Sequence, residues 1–181
     1  MTATHVALLR GINVGKAKRI AMAELRGFFE RLGFRDVRTL LNSGNVVFTM
    51  PRTMRGDPAS LLEASLVADT GIAAKVTILL VQELEAAIAA NPLIGIATDP
   101  SRLLVGVLRN PTDRRRLLPL TKTDWGTEAF ALGTRVAYLW CPDGVLASAV
   151  VKALDRVLGD EVTSRNWSTV QKLSELAAGQ P

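Results

Sequence analysis

The sequence predicts an α+β fold made of two tandem split βαβ modules, each with an antiparallel sheet. The hydrophobic periodicity of the first half follows the order strand, helix, strand, strand, helix, strand, and the second half repeats that order. A segment rich in proline and glycine, 91–101, separates the halves. We therefore place one module at residues 1–96 and the other at 100–181. One continuous α+β sheet is the alternative interpretation.

The first half opens with an apolar segment, 5–9, that does not alternate, as is typical of a buried central strand. Apolar residues at helical spacing then predict a helix that ends at Gly33. Segments 36–41 and 46–49 are predicted as strands on either side of the turn 42–45. The remaining predicted elements are a helix ending at Gly71, a strand at 75–80 and a helix at 82–90 that Asn91-Pro92 ends.

The second half is predicted to begin with a strand at 103–108 and a short helix at 113–118. Two strands, 128–132 and 136–140, flank a turn at Gly133-Thr134. A helix at 145–158 follows, with Leu146, Val150, Leu154 and Val157 on one side. A short strand at 161–164 precedes the last helix, 168–178, where Ser168 and Gln171 match a capping box.

Composition favours a globular protein with acidic partners. The chain has 181 residues, 48% of them hydrophobic and 22% charged, and a formal net charge of +5. Residues 1–23 hold four cationic side chains and no carboxylate. The only cysteine, Cys141, excludes an intrachain disulfide and favours a reducing compartment. No secretory signal or run of 18 apolar residues is found, so we expect a cytoplasmic protein with no membrane partner.

Segment 8–16 joins the first strand to a glycine-rich, cationic loop. Gly11 and Gly15 allow close backbone approach, and N–H groups with Lys16 suit an anion. The spacing excludes a nucleoside-triphosphate loop, because only three residues separate the glycines and Ala17 stands where Ser or Thr would hold magnesium. A plain connection between strand and helix remains the alternative.

Two polar segments are expected to meet at one edge of the first sheet. In a βαββαβ sheet the first and second strands run in the same direction, so the loop after one and the turn after the other share an end. The candidate ligand-binding residues there are Arg10, Asn13, Lys16, Ser43 and Asn45. Segment 42–45 is in the first place a turn whose Asn and Gly residues tolerate positive φ.

A third candidate segment precedes the last helix. An exposed Trp167 beside Arg165, Asn166 and helix-end amides would suit stacking and anion contact. The alternative is structural, with Trp167 packed over the helix start and Arg165 paired with a carboxylate. Whether this segment joins the other two depends on how the two modules dock, which the sequence leaves open.

Several chemistries are argued against by the residues present. His5 is the only histidine, and no G-x-S-x-G segment supplies a nucleophile. One histidine and Cys141 cannot make a usual zinc site, and no acidic cluster indicates magnesium. We therefore predict no metal and no cofactor, and we assign no catalytic residue.

Several segments together resemble the bacterial domain-of-unknown-function family DUF1697. They are residues 8–15, Met22 with Leu25, 32–34, 43–48, 91–93 and 163–170 followed by Lys172-Leu173. The resemblance implies two ferredoxin-like modules in tandem, in agreement with the element order. It implies no activity or catalytic residue. It marks these positions: Arg10, Gly11, Asn13, Gly15, Ser43, Gly44, Asn45, Arg165, Asn166 and Trp167. The chain departs from the family pattern at Lys16 and Ser168.

The expected function is binding of an anionic ligand, a phosphorylated metabolite or a nucleotide, at the basic loop edge. Nucleic acid is the weaker variant, since aromatic residues make up only 5% of the chain. One alternative is an enzyme that holds an acidic small molecule through Arg10, Lys16 and Arg165. The other is a structural or regulatory protein whose motifs only fasten the two modules.

Overall fold

The computed structural model describes residues 3–15 and 19–179, which form two four-stranded antiparallel sheets and five α-helices. The chain therefore has the α+β class that the sequence predicts. The strands are β1 Thr4–Arg10, β2 Arg35–Leu40, β3 Asn45–Thr49, β4 Lys75–Leu80, β5 Leu103–Leu108, β6 Ala129–Leu132, β7 Val136–Trp140 and β8 Val162–Asn166. The α-helices are α1 Met22–Arg31, α2 Pro58–Thr70, α3 Val81–Ala89, α4 Ala149–Leu158 and α5 Trp167–Ala177.

The first sheet has the strand order β2-β3-β1-β4. Ala7 of β1 lies opposite Val46 on one side and Ile78 on the other, so β1 has two hydrogen-bonded neighbours. That central place explains its unbroken apolar segment. Helices α1 and α2 contribute apolar side chains to the core of this sheet, where Phe29 and Phe48 meet edge to face at 5.4 Å between ring centroids.

The second sheet has the strand order β6-β7-β5-β8. Its core gathers residues from β5, β7 and α4, with Leu154 and Leu139 fully buried. The connection from β5 to β6 contains a 3-10 helix, Pro111–Lys122, where the sequence predicts a shorter helix. Arg114 holds this helix through its Nε atom, which donates to the carbonyl oxygen of Gly133 at 2.8 Å.

Two helix starts differ from the predicted ones. Helix α4 begins at Ala149 because the Ser148 side chain caps it, accepting from Val151 N at 3.2 Å, and Leu146 is left 95% exposed outside the helix. Helix α5 is capped by Asn166, whose Oδ1 accepts from Thr169 N at 2.9 Å. The predicted capping box of Ser168 and Gln171 is therefore wrong, since the Asn166 side chain, two residues earlier, takes the capping position.

Contacts between Cα atoms divide the chain into two compact units. One consists of residues 1–82 with 172–181, and the other of residues 83–171. Arg38 of β2 donates to the carbonyl oxygen of Leu176, a contact inside the first unit. These units begin and end at other residues than the predicted modules, whose boundaries at 96 and 100 stay a prediction. Within the described chain, no helix has the length and apolar character needed to span a bilayer.

Candidate functional site

The loop after β1 and the turn between β2 and β3 meet at one end of the first sheet. Leu8 pairs with Asn45, and the main-chain N–H of Leu9 donates to the carbonyl oxygen of Gly44 at 2.8 Å. The predicted convergence of these two segments is confirmed. It follows from strand direction, because the ends of β1 and β2 lie on either side of the start of β3.

Gly44 makes this close approach possible. Its φ is +78°, a left-handed value that glycine adopts without strain. A Cβ atom at this position would lie 2.7 Å from Cδ1 of Ile12 and 2.8 Å from Cβ of Leu9. Both neighbours are buried, so the turn packs directly on the loop that follows β1.

Asn13 ties the two segments together. Its Nδ2 atom donates to the carbonyl oxygens of Asn42 at 2.7 Å and of Ile20 at 3.1 Å. Its Oδ1 atom accepts from the N–H of Ile20 at 2.9 Å. Asn13 also has a positive φ, 53°, which asparagine tolerates better than most residues. Both amide hydrogens and one lone pair of this side chain are thus used within the first unit.

The turn residues Ser43 and Asn45 stabilise the turn itself. Asn45 is fully buried, and its Nδ2 donates to the carbonyl oxygen of Leu40 at 3.0 Å and to Oγ of Ser43 at 2.9 Å. Buried amides need such partners, because an unpaired one costs free energy. The main-chain conformation of the turn depends on this pair.

Of the two cationic residues predicted at this edge, Arg10 and Lys16, the structure describes only Arg10. Arg10 is partly buried at the end of β1, opposite Lys75 of β4. Lys75 lies 4.0 Å from a carboxylate oxygen of Glu63. Lys16 lies outside the described residues.

A cavity of about 470 Å³ opens at this edge of the first unit. It is lined by Asn13, Arg19, Ile20, Ala21 and Asn42. Arg19 is exposed, and its Nε donates to the carbonyl oxygen of Gly15 at 3.3 Å. The side chain brings a delocalised positive charge with several donors to the cavity.

The start of α1 also borders the cavity through Ala21. This residue occupies the capping position of α1, and no side chain in the described part of the chain caps the helix there. The first N–H groups of an α-helix have no partner within the helix and carry a partial positive charge. Arg19 and Asn42 were not among the predicted ligand-binding residues, although the turn that contains Asn42 was expected at this edge. The absence of carboxylates in residues 1–23 was the signal that could have found Arg19.

The third candidate segment belongs to the second unit and has structural roles there. The side chain of Trp167 is buried, with the residue only 5% exposed, and its main-chain N–H donates to the carbonyl oxygen of Pro100 at 3.1 Å. Asn166 caps α5 as described above. Arg165 lies opposite Val105 in the sheet and donates to the carbonyl oxygen of Ser164 at 2.9 Å. The stacking interpretation required an exposed Trp167. That residue is buried, so the interpretation is wrong.

Helix α3 is attached to the β6–β7 hairpin by a contact near each of its ends. Near its start, Nη1 of Arg135 lies 2.8 and 2.7 Å from the two carboxylate oxygens of Glu83. Near its end, Oη of Tyr138 donates to the carbonyl oxygen of Ala87 at 2.7 Å. A second cavity of about 400 Å³ lies between α3 and the hairpin, lined in part by Ala86, Ala90 and the residues of these two contacts.

Two buried groups of the second unit have displaced ionisation. Burial raises the pKa of the Tyr138 hydroxyl, because the charged phenolate would lose its hydration. Burial likewise raises the pKa of the Cys141 thiol, and the Glu128 carboxylate adds to that shift while a hydrogen bond with Ser148 opposes it. Cys141 thus lacks the environment of a reactive thiolate.

Comparisons with other proteins bear on the fold and the family. A family model described as "Protein of unknown function (DUF1697)" matches residues 1–138. A solved structure, that of the conserved bacterial protein SP0830 from Streptococcus pneumoniae, is 24% identical to this chain. It matches with a TM-score of 0.74 over 98% of this chain and 99% of its own. A comparison with curated proteins gives no match. The chain therefore belongs to the DUF1697 family of proteins of unknown function.

Proposed function

We propose that the protein binds an anionic ligand, a phosphorylated metabolite or a nucleotide, in the cavity at the edge of the first sheet. The observation that carries the proposal is the exposed guanidinium of Arg19 in the wall of a cavity of about 470 Å³. Guanidinium groups bind phosphate oxygens through two parallel hydrogen bonds. None of the described residues that line this cavity is acidic.

Two further features support an anion at this place. The start of α1 directs the positive end of the helix dipole towards the region of Ala21, which favours negative charge. The net charge of +5 attracts anions over a longer range at low salt. The candidate site contains only residues that the structure describes, so Lys16 is not part of it.

Titration of the full chain with inorganic pyrophosphate and with adenosine monophosphate tests the proposal. We expect at least one of these anions to bind, more weakly as the salt concentration rises. Arg19→Gln should weaken binding about tenfold or more, since a charge-assisted hydrogen bond contributes about 1.5–3 kcal/mol. Arg115→Gln is the matched control, because Arg115 is exposed on the 3-10 helix of the second unit. Equal losses in the two variants, or no binding by either anion, would refute the proposal.

We also propose that each sheet with its helices is a ferredoxin-like module, in the tandem arrangement 1–96 and 100–181. The strand orders β2-β3-β1-β4 and β6-β7-β5-β8 support this, because each is the order of a split βαβ sheet. Limited proteolysis of the full chain is the test. The proposal expects the first cuts within 91–101, whereas first cuts inside either predicted module would contradict it.

A structural role for the motifs is the second candidate. The side chains of Asn13 and Asn45 hold the turn of the first unit, and Asn166 caps α5 in the second. Trp167 is buried. These contacts account for four of the predicted ligand-binding residues without any ligand. The titrations with pyrophosphate and adenosine monophosphate distinguish this structural role from ligand binding, because a purely structural protein would bind neither anion.

We place the protein in the cytoplasm as a further proposal. Its support is the single, buried, unpaired Cys141, which fits a reducing compartment. Fractionation of cells that express the tagged protein tests it. Recovery of the protein mainly outside the cytoplasmic fraction would contradict it.

A further inference from the structure

We propose that the cavity at the edge of the first sheet takes a phosphorylated organic molecule, and that the Asn42 carboxamide recognises the uncharged part of that molecule. This inference rests on the proposed function, since it assumes that Arg19 holds the anionic group. It adds a residue, Asn42, that determines specificity for the organic part of such a ligand.

The size of the cavity accommodates more than a bare inorganic ion. Its volume of about 470 Å³ falls within the range of about 300–1,000 Å³ that is usual for pockets holding whole small molecules. A single tetrahedral phosphate would leave most of that space to water. A phosphate that carries a sugar or a nucleoside would fill much more of it.

The residues that line the cavity are of three kinds: charged, apolar and uncharged polar. Arg19 supplies positive charge, whereas Ile20 and Ala21 contribute apolar surface. Asn42 lies on the turn that forms another part of the lining. A ligand complementary to all of these has an anionic group, an apolar or ring portion and an uncharged polar group.

Asn42 is suited to the uncharged polar group. Its side chain is exposed and makes no hydrogen bond to any other residue in the described part of the chain. A carboxamide both donates and accepts, so it pairs with hydroxyl groups and with the edges of nucleobases. A site for a purely anionic ligand would be served better by a second positively charged side chain than by this neutral carboxamide.

The two parts of the wall are held in fixed relation before any ligand binds. The same atom, Nδ2 of Asn13, donates to the carbonyl oxygens of Asn42 and Ile20. Oδ1 of Asn13 accepts from the N–H of Ile20. The main chains of both wall segments are thereby held in place, while the exposed side chain of Asn42 is available to a ligand. Such preorganisation lowers the entropy cost of binding.

Calorimetric titration of the full chain with inorganic phosphate, ribose phosphate and adenosine monophosphate tests the inference. We expect the organic phosphates to bind at least tenfold more tightly than inorganic phosphate. Asn42→Ala should weaken the organic phosphates about threefold to tenfold, the loss of one hydrogen bond of about 1 kcal/mol, and leave inorganic phosphate unchanged. Asn42→Asp, which keeps the shape but adds negative charge, should weaken all three.

The outcomes separate this inference from the proposed function. Tight binding of both organic phosphates would indicate recognition of the sugar, and tight binding of adenosine monophosphate alone would indicate recognition of the base. Either supports the inference if Asn42→Ala weakens that binding, whereas tight binding that is unchanged in Asn42→Ala overturns it. Equal affinity for all three probes, lost in Arg19→Gln and unchanged in Asn42→Ala, overturns the inference and leaves the proposed function intact. If no probe binds, both fail. Unchanged thermal unfolding of Asn42→Ala serves as the control for folding.

Discussion

The Nδ2 atom of Asn13 donates a 2.7 Å hydrogen bond to the main-chain carbonyl oxygen of Asn42, a residue 29 positions away in the sequence. This bond connects the loop after β1 with the turn between β2 and β3. It is one of three hydrogen bonds that the Asn13 side chain makes to main-chain atoms of the first unit. Asparagine is suited to this position because its side chain donates and accepts while its main chain adopts a positive φ.

Two replacements of Asn13 should separate what its side-chain hydrogen bonds contribute to the free energy of unfolding from what its backbone conformation contributes. Asn13→Gly keeps the positive φ at no steric cost and loses the three hydrogen bonds, so we expect the free energy of unfolding to fall by about 1–3 kcal/mol. The free energy of unfolding of Asn13→Ala should lie about 1–2 kcal/mol below that of Asn13→Gly, because alanine is strained at a left-handed φ. Urea unfolding measures both. A glycine variant as stable as the natural protein would show that the hydrogen bonds contribute nothing net.

Gly44→Ala should be much more damaging than an alanine at an open glycine. The new Cβ atom would lie 2.7 Å from Cδ1 of Ile12 and 2.8 Å from Cβ of Leu9, in addition to the strain of a φ of +78°. Overpacking of this kind costs about 1–3 kcal/mol beyond the backbone strain. Thermal and urea unfolding give the loss.

Gly56 offers a matched control for that experiment. Its φ is +80°, nearly that of Gly44, but among the described residues none beyond its two chain neighbours has an atom within 4 Å of the Cβ position. Gly56→Ala therefore reports the backbone strain alone. If the two variants lose the same stability, the close approach of the turn to Ile12 has no energetic weight.

Tyr138→Phe should destabilise the second unit through the end of α3. Within α3 and the residues after it, Ala90 N bonds to the carbonyl oxygen of Ala86 and Asn91 N to that of Ile88, so Tyr138 is the donor for Ala87. Removing the hydroxyl leaves that carbonyl without its partner, a cost of about 1–3 kcal/mol if water cannot replace it. Hydrogen exchange of the last turn of α3 is the local measurement. Unchanged exchange there would mean that water restores the bond.

The pH dependence of stability should carry a Tyr138 contribution above pH 10. Burial raises the pKa of this hydroxyl in the folded chain above its ordinary value of about 10. Below that value both folded and unfolded chains keep the proton, and the full stability is present. Above it the unfolded chain releases the proton first, so stability falls as pH rises towards the folded pKa.

Tyr138 is the only tyrosine, so its ionisation can be followed directly by ultraviolet absorbance of the phenolate. The midpoint should lie above 10 in the folded protein and return to the ordinary value in denaturant. The stability of Tyr138→Phe should fall less steeply over the same alkaline range. Coincident titrations in the folded and unfolded chain would contradict the expected effect of burial.

The ion pair of Glu83 and Arg135 should couple more strongly than an exposed pair. Their side chains are 34% and 17% exposed, and one guanidinium nitrogen contacts both carboxylate oxygens. A double-mutant cycle with Glu83→Gln and Arg135→Met should give a coupling free energy near the upper end of the usual range of about 0.2–1 kcal/mol. The pair Arg26–Glu30, 3.9 Å apart with both side chains 55% exposed, is the control and should give about 0.3–0.5 kcal/mol or less.

High salt gives a second comparison between these two pairs. Screening should reduce the coupling of Arg26 with Glu30 more than that of Glu83 with Arg135, because partial burial limits the access of ions. Equal coupling and equal salt dependence would show that the contact between α3 and the β6–β7 hairpin contributes no more than a surface ion pair.

Periodicity and local chemistry predicted much of the secondary structure. The strand at 75–80 and the strand at 103–108 were predicted with the bounds that the structure shows. Gly71 ends α2 in a left-handed conformation, as a glycine after a helix indicates. The predicted helix starts were wrong where a capping side chain sets the first residue of the helix. Ser148 caps α4 and leaves Leu146 outside, and Asn166 takes the place predicted for Ser168.

For the candidate site, the order of the predicted elements was enough to bring two segments together, whereas packing in the folded chain sets which side chains are available there. Strand direction in a βαββαβ order requires the loop after β1 and the turn before β3 to share an edge. It does not specify that Asn45 is fully buried, that Asn13 uses its amide within the fold, or that Trp167 packs inside. Those outcomes depend on hydrogen-bond partners and packing between residues distant in sequence. Arg19 and Asn42 line the cavity at that edge for the same reason.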